Sequence, residues 1–422
     1  MRYIWKDMPM LVFNNIKTTK LNNGMNVYVV PKEKYVSTFF SMTTNFGGLN
    51  NYIIDNDNKE MILLPMGLAH FLEHSIFDPK ESRDLGQIYG DLGIHVNAYT
   101  TYYQQGIIGV ANTKNIYEAV KLLNRFIDIE QFNPLSIEIN KKIIYDEILR
   151  QKVKYEQLGY NLALKNAFLE LNLADMILGN KESLEMISED ILQKSYITNY
   201  SSDKITLLIV GDIDLGSLDE IMYIYFDRQL KMKNCKSKII LPNCTENLPC
   251  KIKKYNIEIS AKFVTLIYRD MFSERVDEWE MLIVQIVLDN ICRESLIRVN
   301  DKYMLVSNYV SYTKHLKYFV MQFYVYEDNI DIEYIIEELF KHFEMNRENL
   351  ERYKKKMIEE LLFLEDDLSL LSGELRRLLS INSSLRDKYL FIQQITLEQV
   401  LNKYREIYSN LEKYSSCIIL EK

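Results

Sequence analysis

The two halves of this chain close on one plan, and that repeat limits the fold more than any other feature. Ile187-Ser188 opens a helical stretch that reaches Tyr196, and Tyr200-Ser201-Ser202 then leads into the strand pattern Ile205–Val210. Ile395-Thr396 opens a second helical stretch, to Tyr404, and Tyr414-Ser415-Ser416 leads into Cys417–Leu420. Each helix has Ser or Thr where an N-cap belongs, able to accept from the free N–H groups of the first turn. The offset from Ile187 to Ile395 is 208 residues in a chain of 422. A repeat at half the length implies two domains of like fold, and a chain this long exceeds one ordinary core.

The rest of the first half fills in that domain. Leu21-Asn22-Asn23-Gly24 is a turn signal before the alternating run Met25–Val30, and Ser37–Thr44 is a second strand. A helix pattern covers 67–77, strand patterns cover 94–100 and 106–110, and helical periodicity runs from Lys114 to about Ile129. Asn133-Pro134 starts another helix, which is expected to reach about Gln157. The second half opens with strand patterns near 251–259 and 262–268. Strands followed by helices, twice over, give an α+β class with two domains, each a sheet covered by helices. The expected boundaries are 1–228 and 250–422, with a lysine-rich linker at 229–249 between them.

Composition removes several functions. A net charge of −8 argues against a nucleic-acid binder, which carries a basic face. Five cysteines with no CxxC pair suit free thiols in a reducing compartment. The N-terminal residues have no apolar core of a signal peptide, and no apolar run is long enough to span a bilayer. A cytoplasmic enzyme is therefore the expectation.

Chemistry concentrates in His70-Phe71-Leu72-Glu73-His74, which holds two of the five histidines. On a helix, positions 70 and 74 lie one turn apart on one face, so both imidazoles reach a single ion. Glu73 falls beside that ion. Two imidazoles with an anionic third ligand suit Zn2+ and leave a fourth position for water, whose proton a nearby carboxylate can take. The bland alternative is a pair of structural histidines and a surface glutamate. The order H-x-x-E-H is that of the inverzincins.

The run Gly67-Leu68-Ala69-His70-Phe71-Leu72-Glu73-His74-Ser75-Ile76-Phe77 resembles the signature of the pitrilysin, insulin-degrading-enzyme and mitochondrial-processing-peptidase family. Gly93-Ile94-His95-Val96-Asn97-Ala98-Tyr99-Thr100 resembles that family's Asn-Ala-x-Thr strand, and Val210-Gly211-Asp212-Ile213-Asp214 its Gly-Asp turn. The likeness is closest to the short bacterial members, including those from peptide-bacteriocin maturation clusters. It implies two homologous domains built on mostly antiparallel sheets, with the metal site in the first. It also implies a third zinc ligand on a later helix. Glu147, in Ile143-Ile144-Tyr145-Asp146-Glu147-Ile148, matches that helix, with Asp146 and Glu138 as rivals. The resemblance further implies that Asn97 and Ala98 lie on an edge strand to which a peptide substrate adds.

Departures from the family pattern accompany the match. Many relatives carry a second Glu seven positions before the ligand, where this chain has Asn140. Relatives also use an Arg and a downstream Tyr of the second domain, for which Arg298 and Tyr303 are the nearest candidates at an unusually short spacing. His95 precedes the substrate strand, while His315 and His342 are isolated. The expected function is zinc-dependent endopeptidase action on peptides or unfolded segments, with processing of one precursor peptide as a special case. The alternative is a non-catalytic partner subunit of a peptidase complex. A related companion chain or a second copy is the expected partner.

Overall fold

A computed structural model describes residues 2–8, 16–55, 59–77, 85–151, 154–169, 171–227, 235–240, 251–270, 279–298, 303–312, 316–326, 332–341 and 343–422. Ten strands come from the first part of the chain: β1 (Lys6–Met8), β2 (Ile16–Lys20), β3 (Asn26–Pro31), β4 (Ser37–Thr44), β5 (Tyr52–Asp55), β6 (Met61–Leu63), β7 (His95–Thr100), β8 (Gln105–Asn112), β9 (Ile205–Gly211) and β10 (Cys235–Lys238). Five follow: β11 (Ile252–Asn256), β12 (Lys262–Asp270), β13 (Tyr303–Tyr312), β14 (Lys317–Val325) and β15 (Ser415–Glu421).

The duplication is written in the strand pairing. The first large sheet has the order β1-β2-β3-β9-β4-β8-β7, and the second has β11-β15-β12-β14-β13. In each, one parallel pair (β3 with β9, β11 with β15) is followed by an antiparallel series. Strands β9 and β15, which close the two repeats, therefore insert into the interiors of their sheets. Val27, Phe40, Leu207 and Ile209 are buried in the first core, and Val264, Phe319, Met321 and Ile419 in the second. The fold is α+β with mostly antiparallel sheets, as expected.

The described chain forms two compact units, each drawn from more than one stretch of sequence. One unit comprises Met1–Ile148, Asp175–Ile240 and Leu361–Asp387, and the other Leu149–Ala174, Leu241–Glu360 and Lys388–Lys422. Each half thus lends a helical segment to the other half's sheet. The helix Leu368–Ser380 packs on β4 and β9, whereas the helix Tyr155–Ala167 packs on β12 and β15. Within the expected linker, Cys235–Lys238 pairs antiparallel with Tyr52–Asp55, and most of the remainder lies outside the described residues.

Two helix lengths differ from expectation. The helix begun at Pro134 ends at Gln151. The one capped by Thr396 continues to Tyr414, because Val400, Ile407 and Leu411 keep an apolar face on the second core. Its capping box is complete: Thr396 accepts from the Gln399 N–H, and the Gln399 side chain accepts from the Thr396 N–H.

Candidate metal centre

Helix α1 (Leu68–Phe77) is anchored by its apolar face. Leu68, Ala69, Phe71, Leu72 and Ile76 are buried in the first core, which leaves His70, Glu73 and His74 turned toward the site at i, i+3 and i+4. Gly67 permits this start. Its φ is +81°, and a Cβ there would lie 2.7 Å from the Leu178 carbonyl oxygen and the Gly179 nitrogen, so only glycine fits.

A second helix, α2 (Pro134–Gln151), carries Glu147 to the same place. Its Oε2 lies 3.7 Å from Nε2 of His70 and 3.7 Å from Nε2 of His74. One donor atom from each of the three residues falls within 4.8 Å of the others, and they form the one such metal-competent cluster among the described residues. At these distances the atoms are not hydrogen-bonded; they face a common point. Donors of a tetrahedral zinc with bonds of about 2.0–2.1 Å stand about 3.3 Å apart, so the group fits that ion with little movement.

The electrostatics favour metal-ready imidazoles. Burial, helped by the neighbouring His74, pushes His70 down to about 3. Burial also lowers His74, against an opposing pull from Glu147. Both rings therefore keep neutral nitrogen lone pairs. Nδ1 of His70 is buried and has no hydrogen-bond partner among the described residues. Glu73 behaves differently: burial raises its carboxyl to about 7, the Thr100 hydroxyl opposes that shift, and Glu147 adds to it. The Thr100 hydroxyl donates to Oε2 of Glu73 and fixes the carboxylate beside the cluster.

The rival carboxylates lie elsewhere. Glu138 is exposed and accepts from Lys141 at 2.9 Å, and Asp146 is also exposed. Asn140 is buried on the same helix, and its Nδ2 has no partner among the described residues. Asn97 and Ala98 lie on β7, which ends the sheet and, among the described residues, pairs on one side only, with β8. The Asn97 side chain accepts from the Ala98 N–H at 2.9 Å. His95 is exposed at the start of that strand. His315 and His342 lie outside the described residues, as do the side chains of Arg298 and Tyr303.

Two neighbours of these residues were not singled out from the sequence. Thr100 was visible only as the end of the quoted strand motif, although a hydroxyl at that position is what orients Glu73. Arg376, whose guanidinium carbon lies 4.8 Å from the centroid of the Tyr99 ring, had no local signal. It is distant in sequence and sits in an Arg-Arg pair on an otherwise ordinary amphipathic helix.

Comparison with known proteins bears out the resemblance. Residues 64–181 match the model of the insulinase family, peptidase family M16. The chain is 31% identical over 195 residues to an uncharacterized zinc protease, YmfH, of Bacillus subtilis, a match covering 46% of this chain and 45% of that one. The matched part is thus less than half of that relative's length. A solved structure described as an M16-like peptidase of Alicyclobacillus acidocaldarius aligns with 98% of this chain and 100% of its own, with a TM-score of 0.87 at 18% identity. The periplasmic protease PqqL of Escherichia coli aligns with 98% of this chain over 48% of its own, with a TM-score of 0.73 at 17% identity. These two likenesses concern the fold.

Proposed function

We propose that this chain is a zinc-dependent endopeptidase that hydrolyses peptides or unfolded segments, a precursor peptide being one such substrate. The observation that carries this reading is the meeting of His70, His74 and Glu147 donors beside a half-buried Glu73 held by Thr100. In this reading those three residues hold the ion. Zinc, when bound, supplies a Lewis acid that acidifies water and polarises a peptide carbonyl. Glu73 accepts a proton from the attacking water and returns it to the departing amine, a shuttle suited to a carboxyl raised toward neutrality. Thr100 keeps the carboxylate aimed during both transfers. The free edge of β7 around Asn97 and Ala98 takes the substrate as an added strand, using main-chain hydrogen bonds that tolerate varied sequences. A companion for the chain, related or identical, belongs to the same proposal.

Glu73→Gln tests the reading directly. The amide keeps size and hydrogen bonding but cannot take a proton. The expected outcome is about one zinc per chain in both proteins, with cleavage of a peptide library lowered by about a hundred- to ten-thousandfold in the variant. Cleavage at the wild-type rate by Glu73→Gln would remove that residue from the chemistry. A wild type that holds zinc but cleaves nothing would favour a non-catalytic subunit.

A further inference from the structure

Beside the edge strand lies a cation that has no counter-ion among the described residues. Arg376 projects from the helix Leu368–Ser380, which packs on β4 and β9. Its guanidinium carbon lies 4.8 Å from the centroid of the Tyr99 ring and 5.7 Å from that of Phe39. One arm hydrogen-bonds to the Tyr99 hydroxyl, which itself donates to Oε1 of Gln104 at 2.6 Å. Nε and Nη1 are buried and have no acceptor, and no carboxylate pairs with Arg376 among the described residues. The adjacent Arg377 shows the ordinary solution, a two-pronged pair with Glu374 through Nε and Nη2 at 2.9 and 2.7 Å. Arginine does not shed its proton, so a guanidinium withdrawn from water and lacking an acceptor is suited to an incoming anion.

The strand register says where that anion would come from. Side chains alternate along β7, so His95, Asn97 and Tyr99 share one face while Val96, Ala98 and Thr100 share the other. Cross-strand partners keep the same face, and Phe39 reaches His95 through Val110. Arg376 therefore lies on the Tyr99 face, where His95 and Asn97 are exposed. Thr100, one residue on, points to the opposite face and holds Glu73. A peptide paired to the free edge of β7 would alternate in the same way. Near the metal centre, one side chain would turn toward Glu73 and its neighbour toward Tyr99 and Arg376.

We propose that Arg376 forms an acid-selective subsite, taking the carboxylate of an Asp or Glu side chain one or two residues from the scissile bond of an extended peptide on β7. The proposal rests on the peptidase reading and on β7 as the substrate strand. It assigns specificity to a residue contributed by the second half of the chain. A guanidinium pairs with carboxylate through short, charge-assisted hydrogen bonds that an amide matches poorly, so the site should separate Glu from Gln.

The test uses peptides identical except for Glu or Gln at each position flanking the cleaved bond. Zinc-loaded wild type, Arg376→Gln and Arg376→Lys are compared by kcat/KM, with melting temperatures recorded for all three. Wild type should favour one Glu peptide over its Gln twin by about tenfold or more. Arg376→Gln should bring that ratio to about one, and Arg376→Lys should retain part of it. The same ratios are read as dissociation constants by fluorescence anisotropy in the Glu73→Gln background, with and without Arg376→Gln. This arm reports on the subsite even where nothing is cleaved, so failure of the peptidase reading and failure of the subsite separate. A wild-type ratio of one in both assays would overturn the proposal. So would a ratio that survives in Arg376→Gln, which would leave Arg376 as a prop for Tyr99.

Discussion

At the scale of single residues, the candidate metal centre turns on which acid would complete it. Glu147 places an oxygen 3.7 Å from each imidazole Nε2, whereas Glu138 is exposed and engaged with Lys141. Removing one of three ligands from an open site should release the ion, because two imidazoles alone do not hold zinc against water and buffer. The expected outcome is loss of most zinc in Glu147→Ala by elemental analysis, with Asp146→Ala and Glu138→Ala retaining it. Release from either of those, with retention in Glu147→Ala, would reassign the third ligand. The candidate site was legible where its chemistry is local: the i, i+4 spacing of His70 and His74 can be read from one turn of helix. Glu147 required a family resemblance, since spacing alone left Asp146 and Glu138 open. Arg376 was not legible, because its place beside Tyr99 depends on how a distant helix docks.

At the scale of elements, periodicity identifies strands and helices but not their partners. Asn26–Pro31 reads as a strand from its alternation, yet nothing local says that it pairs parallel with Ile205–Gly211. The segment Leu361–Asp387 was missed for the same reason. Its pattern announces a helix with an apolar face, and only the assembled unit reveals that the face covers β4 and β9. A buried ion pair fastens that segment. Lys32, just past β3, binds the side chain and the backbone carbonyl of Glu365, and both side chains are about 10% exposed or less. Breaking such a pair strands a charge away from water, whereas replacing both partners with apolar groups removes the desolvation cost along with the attraction. Lys32→Met and Glu365→Leu are each expected to lower unfolding free energy by about 3–5 kcal/mol, and the double variant to recover most of it. Denaturant titration of the four proteins measures the coupling. Additive losses would show that the pair does not act as a unit.

At the scale of the whole molecule, the question is how much of a working peptidase one polypeptide holds. Nearly all of this chain, 98%, aligns with 48% of the PqqL polypeptide, so that single chain has room for the present plan about twice. Here the candidate metal cluster lies in the unit built mainly from the first half, and no histidine occurs between His95 and His315. If substrate on β7 needs an opposing surface, a second chain is the natural source, and a related companion is favoured over an identical copy by charge. Two identical chains would each bring a net charge of −8, a repulsion that salt screens beyond a Debye length of about 10 Å at 0.1 M. A companion with a basic contact surface would instead be drawn in more strongly as salt falls. Light scattering across a salt series therefore distinguishes the two: self-association should strengthen with salt, and pairing with a basic companion should weaken. Peptide cleavage measured on the same samples should rise with the fraction of paired chains, since a stable complex needs an interface of about 1,200–2,000 Å² and would cover substrate during turnover. A strict monomer at every salt concentration, cleaving peptides fully and gaining nothing from a co-purifying relative, would show that one chain suffices.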